Sequence, residues 1–177
     1  MSDSILSISN SSSNPNTEQQ QFLRFNLVPN NNLMIALREI AAVLKIPLGQ
    51  IVPIPEMPSW VMGVYNWRGQ IVWMVDMGEL LGFTPWYQQS LVASNHKAIV
   101  IHPRSQNQKN RSSGNLIGLV VSDVDEIEMC DVNLINSPPA SAVTEELAPY
   151  LRGYWIQEGG DIIITIDGDA IFASMPQ

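Results

Sequence analysis

From Gly63 to Met77 the chain reads Gly-Val-Tyr-Asn-Trp-Arg-Gly-Gln-Ile-Val-Trp-Met-Val-Asp-Met, two runs of strand-forming residues interrupted by Arg68 and Gly69. Valine, isoleucine and aromatic residues suit a pleated surface, and a glycine between two such runs marks a tight hairpin. At period two, Gly63, Tyr65 and Trp67 share one face of the first strand, with Val64 and Asn66 on the other. Across the turn Ile71, Trp73 and Val75 alternate with Val72, Met74 and Asp76. Both faces are largely apolar. A fold that buries one of them must cover the other with a second layer of its own or with a partner. Arg68 falls at the tip, where it reads either as a plain turn residue or as an anchor for another protein. Arginine and aromatic residues are the types most enriched among interface hot spots.

The rest of the chain supplies more short strands than helices. Residues 1–21, rich in Ser, Asn and Gln, read as a disordered leader. Order is expected from Phe22, where Leu23, Phe25 and Leu27 alternate with Arg24 and Asn26. Leu37, Ile40, Ala41 and Leu44 fall at helical spacing before Pro47, which predicts a short amphipathic helix carrying Ala42. Ile51 to Ile54 reads as extended. Met77 to Gly82 reads as a helical turn closed by its glycine. Lys97–His102 and Leu116–Val121 are strands, joined by a polar loop from Pro103 to Asn115. Ile127, Met129, Val132 and Leu134 suggest further short strands, followed by a long connection from Pro138 to Pro149. A second hairpin turns at Glu158-Gly159-Gly160, and a helical turn begins at Gly168 or Asp169. The pattern predicts a mainly β domain over 22–173, in hairpin-bearing halves of roughly 22–88 and 97–173.

Composition narrows the function. Nine basic residues against 17 acidic ones give a formal charge of -8 and a pI of about 4.5, which disfavours nucleic acid as a partner. A lone Cys130 excludes an intramolecular disulfide and a thiol-based zinc ribbon, and fits a reducing, cytoplasmic setting. The N-terminus shows no basic segment followed by an apolar run, and no stretch is apolar enough to insert in a membrane. Catalytic groups are sparse. His96 and His102 read as surface or strand-end residues, and Cys130 as a buried thiol. Asp123, Asp125, Glu126, Glu128 and Asp131 read as a solvated strand face, and Asp167-Gly168-Asp169 as a turn and helix cap. No metal site, cofactor site or phosphate loop is expected, and no enzymatic activity.

The ordered set from Ile54 through Pro58, Gly63-Val64, Asn66-Trp67-Arg68-Gly69 and Ile71 resembles the signature of the CheW-like domain family. Further likeness lies in the strand Phe22 to Leu27, in Ile117 to Val124, in Leu151-Arg152-Gly153 and in Ile162 to Asp167. Trp67 and Trp73 stand where the family more often has leucine and proline. The resemblance implies two SH3-like five-stranded β-barrel subdomains packed together, with short helices and no catalysis. It further implies an adaptor coupling the cytoplasmic tip of a chemoreceptor to the regulatory domain of a CheA-type histidine kinase, with surface motility as one behaviour so controlled. On that reading Arg68, Asn66, Val64 and Gly69 form the receptor side, with Ala42 as a further contact. A binding module scaffolding another assembly without kinase coupling stays open as the alternative.

Overall fold

The computed structural model describes residues 17–89, 95–103, 115–137 and 143–176. Among the described residues, ten strands form two five-stranded sheets. The chain starts in the first sheet with β1 (Gln19–Leu27) and β2 (Asn31–Ala36), then crosses to the second through a 3₁₀ turn, Leu37–Glu39. There it lays down β3 (Ile40–Pro47), β4 (Val61–Trp67), β5 (Gln70–Asp76), β6 (Asn95–Ile101) and β7 (Leu116–Val121). It returns to the first sheet with β8 (Asp123–Asp131), β9 (Leu151–Ile156) and β10 (Ile162–Ile166). Two short helices, α1 (Met77–Leu80) and α2 (Gly168–Ser174), follow β5 and β10.

The spatial orders are β8-β1-β2-β10-β9 and β3-β6-β7-β5-β4. Each sheet curls into a barrel, and each closes with one isolated bridge. In the second barrel Val52 exchanges both hydrogen bonds with Val64 on β4, at 2.8 and 2.9 Å; in the first, Asn136 does the same with Tyr154 on β9, both at 2.8 Å. Closure removes the open sheet edge that would otherwise invite pairing with other chains.

Among the described residues, three apolar clusters follow from this arrangement. Val72, Met74, Ala98 and Val100 fill the second barrel, and Phe22, Met34, Ala36 and Ile163 fill the first. The largest lies between them, joining Phe25, Leu33 and Ile35 of one sheet to Val75, Ile99 and Leu119 of the other, with Met77, Leu81 and Ile171 from the helical turns. The Trp73–Val75 end of the hairpin's second face is thus covered by the other barrel, while Ile71 near its tip is 55% exposed. Trp73 packs partly into that shared core.

Several sequence expectations change. Strand β1 begins at Gln19, and the Glu18 carbonyl accepts from the Val132 N–H at 3.0 Å, within the segment expected to be disordered; residues 1–16 lie outside the described ones. The helix expected around Leu37 to Leu44 is a 3₁₀ turn followed by strand β3. The operative period is two: Ile40, Ala42, Leu44 and Ile46 turn inward while Ala41, Val43 and Lys45 are exposed. Ala42 therefore sits on a strand, paired with Val100 and packed against the second barrel's interior. Strand β2 was hidden because Leu33 and Ile35 enter one core while Met34 and Ala36 enter another, leaving no alternation to see.

The two halves expected from sequence do not coincide with the two barrels. β3 to β7 form the second barrel, inserted between the two portions of the first. Past Met129 the expected further strands are instead the end of β8 and a 3₁₀ turn, Val132–Leu134. Most of the Pro103 to Asn115 loop and part of the Pro138 to Pro149 connection lie outside the described residues.

Asp76 shows how the hairpin is held to the body of the domain. Its side chain is 1% exposed and caps α1 by accepting from the N–H groups of Gly78 at 3.1 Å and Glu79 at 3.4 Å. It also accepts from Trp86 at 2.9 Å, tying the following segment to the end of β5. Burial pushes its carboxyl above the usual aspartate range, although the three N–H donors work against that. Asp76→Ala leaves those donors without the carboxylate and is expected to cost about 3 kcal/mol, read as a lower urea midpoint at unchanged slope.

Candidate functional site: the hairpin tip

β4 and β5 pair antiparallel from Val64↔Trp73 through Asn66↔Ile71 to Trp67↔Gln70, so the loop is the two residues Arg68 and Gly69. Both have positive φ, +51° and +80°, as a type I′ hairpin turn requires. Gly69 meets this at little cost. Arg68 does not, because an L side chain in the left-handed region carries about 1–2 kcal/mol of strain. The turn recovers part of that locally: Asn66 Oδ1 accepts from the Gly69 N–H at 3.0 Å.

Trp67 is half-buried against the interior of the second barrel, and the Arg68 guanidinium carbon lies 5.5 Å from its ring centroid. At that distance the ring quadrupole attracts the cation, so Trp67 gives the exposed arginine a preferred position. Asn66, Arg68, Gly69 and Gln70 are exposed, and Ile71 is 55% exposed beside them. The tip thus presents a fixed cation, an amide and an isoleucine on a rigid ribbon. Chemically this suits a carboxylate or unpaired carbonyl groups flanked by apolar surface.

Of the residues singled out from sequence, Asn66, Arg68 and Gly69 meet in the turn, and Val64 lies on the same strand within the closing bridge to Val52. Ala42 lies on β3 with its side chain against the barrel interior. The importance of Gly63 was missed as a steric matter. Its φ is +138°, and a Cβ there would stand 2.1 Å from the Val52 carbonyl oxygen. Only a residue without a Cβ lets Val52 close the barrel next to it.

His96 is half-buried on β6 with its ring edge-on to Trp86, and burial holds its pKa below the ordinary value. His102 Nδ1 stands 3.4 Å from the Pro103 carbonyl. Cys130 is buried, and its thiol is pushed up to about 11 by burial first and then by Asp131 and Glu128, which suppresses the reactive thiolate. The acidic face of β8 is solvated at Asp125 and Glu126, while Asp123 pairs with Lys97 and Glu128 with Arg24 at 3.1 Å. No helix among the described residues is long and apolar enough to cross a membrane.

The sequence pattern of the CheW-like domain matches residues 21–175, nearly the whole of the ten-strand architecture. The chain belongs to the CheW-like domain family. Fifteen chains of solved structure match. Among them is the scaffolding protein TtCheW from Thermoanaerobacter tengcongensis, which superposes with a TM-score of 0.67 at 23% identity. That match covers 85% of this chain and 90% of the other. No curated protein sequence matches.

Proposed function

We propose that this CheW-like domain is a chemosensory scaffold that joins a chemoreceptor to a CheA-type histidine kinase. The observation that carries the reading is the β4–β5 tip, where Arg68 is kept in a strained turn and stacked on Trp67. A solvent-exposed turn has no need of an arginine in that conformation, and backbone strain of this kind clusters at binding sites. TtCheW, similar in fold, is described as a scaffolding protein.

In this reading Arg68, Asn66 and Gly69 contact the receptor's cytoplasmic tip, with Val64 supporting them from the barrel seam. Ala42, packed inward, contributes through the position of β3 more than through its methyl group. The kinase's regulatory domain occupies a different surface, and the protein works in the cytoplasm at membrane-associated receptor arrays. Coupling then consists of binding one state of the receptor–kinase pair more tightly than the other. The test is reconstitution: receptor-bearing membranes and the cognate kinase are assayed for phosphotransfer with and without the chain. Receptor-dependent phosphotransfer should change by about tenfold, equivalent to about 1.4 kcal/mol of coupling. An unchanged rate, with the chain recovered on some other partner, would reject kinase coupling.

A further inference from the structure

Glu39, Asp167 and Asp169 lie at the joint between the barrels. Glu39 ends the 3₁₀ turn that leads from β2 into β3, and its carbonyl accepts from the His102 N–H at 3.1 Å. Asp167 follows β10 and caps α2 by accepting from the Asp169 N–H at 3.0 Å. One carboxylate oxygen from each of the three side chains lies within 4.8 Å of the others. Glu39 is 2% exposed, and neither of its oxygens accepts a hydrogen bond of regular geometry. A buried carboxylate with no such partner, aimed at two more carboxylates, calls for a positive ligand or a proton.

We propose that Glu39, Asp167 and Asp169 form a site for one hard divalent cation of calcium's size. An all-carboxylate donor set selects hard cations over zinc or copper, which prefer nitrogen and sulfur. Calcium accepts irregular shells of six to eight oxygens, whereas magnesium demands a near-ideal octahedron and keeps most of its waters, so three side chains set by a turn and a helix cap suit calcium better. Asp167 and Asp169 are half-buried, so water can complete the coordination shell from their side.

Other charges at the site are consistent with an incomplete balance. Glu39 is raised from 4.5 to about 7, first by burial and then by Asp167 and Asp169, against an opposing effect of the Arg152 guanidinium and the Gly168 N–H. One cation held by all three carboxylates would clamp the inter-barrel turn to α2. Its structural effect would be to stiffen the joint between the barrels.

Titration calorimetry and thermal melts of the full chain, stripped with a chelator, test this with calcium chloride and magnesium chloride as probes. Expected are one calcium per chain with a Kd on the order of 10⁻⁴ to 10⁻³ M, weaker magnesium binding, and a melting midpoint that rises with calcium. Glu39→Gln should weaken calcium binding at least tenfold. Asp169→Asn leaves the Asp167 cap in place and carries the same expectation should the buried substitution impair folding. Glu126→Gln, on the solvated face of β8, should bind as the parent does. No saturable binding at about 10 mM calcium, tenfold above the weakest such sites, would overturn the proposal and leave Glu39 as a proton carrier. Equal binding by parent and both site variants would overturn it as well, showing only diffuse association with an acidic chain.

Discussion

Gly63→Ala is expected to destabilise the domain by about 4 kcal/mol, enough to unfold a large fraction of a marginally stable protein. The cost has two sources. At φ +138° an alanine is strained whatever space surrounds it, a penalty of about 1–3 kcal/mol. Its methyl would also meet main-chain atoms, standing 2.1 Å from the Val52 oxygen and 2.7 Å from the Val52 carbonyl carbon. Backbone cannot step aside as a flexible side chain does. Relief requires loss of the two Val52–Val64 hydrogen bonds, at about 1 kcal/mol each. Urea denaturation of the purified variants provides the measurement, with two other glycines as internal comparisons. Gly159→Ala, with nothing within 4 Å and no positive φ, should be near neutral; Gly69→Ala, also unobstructed but at φ +80°, should cost about 1 kcal/mol. Equal stability of Gly63→Ala and Gly159→Ala would refute the seam argument.

Arg68→Glu is the matching prediction for function, and it rests on the receptor-binding reading. Charge reversal at an interface anchor should cost at least about 2 kcal/mol, some thirtyfold in affinity for a receptor cytoplasmic fragment. Folding should change far less, because the tip is exposed and the loss is confined to the stack on Trp67, about 0.5–1 kcal/mol. Binding and a thermal melt must therefore be read on the same sample. Trp67→Leu separates the two contributions of the stack: it keeps the cation and removes its platform, so affinity should fall by less than for Arg68→Glu. Receptor affinity unchanged in a folded Arg68→Glu variant would return Arg68 to the role of a turn residue.

The β4–β5 hairpin was legible in the sequence because its determinants are local. Alternation over a few residues sets which side chains share a face, and glycine at the left-handed position sets the turn. Gly82 closed the turn after β5 for the same reason, as a positive-φ stop, whereas the cap from Asp76 came only with the structure. Strand β3 was misread as a helix because Leu37 belongs to a separate turn, which shifts an ordinary two-residue period into apparent helical spacing. The absence of alternation in β2 carried information, but of a kind that also fits a buried helix segment.

By itself, the sequence determined the strand-rich character, the hairpin with Arg68 at its apex, and membership of a family recognisable from an ordered series of short motifs. Each depends on residues within a few positions of one another. Only the tertiary structure decided that the second barrel is inserted within the first, and that both faces of β2 and β5 are buried. It alone showed that Val52 closes against a glycine and that Glu39 meets Asp167 and Asp169. These depend on which distant segments are brought together, and packing of two barrels around a shared core sets that juxtaposition where no local periodicity records it.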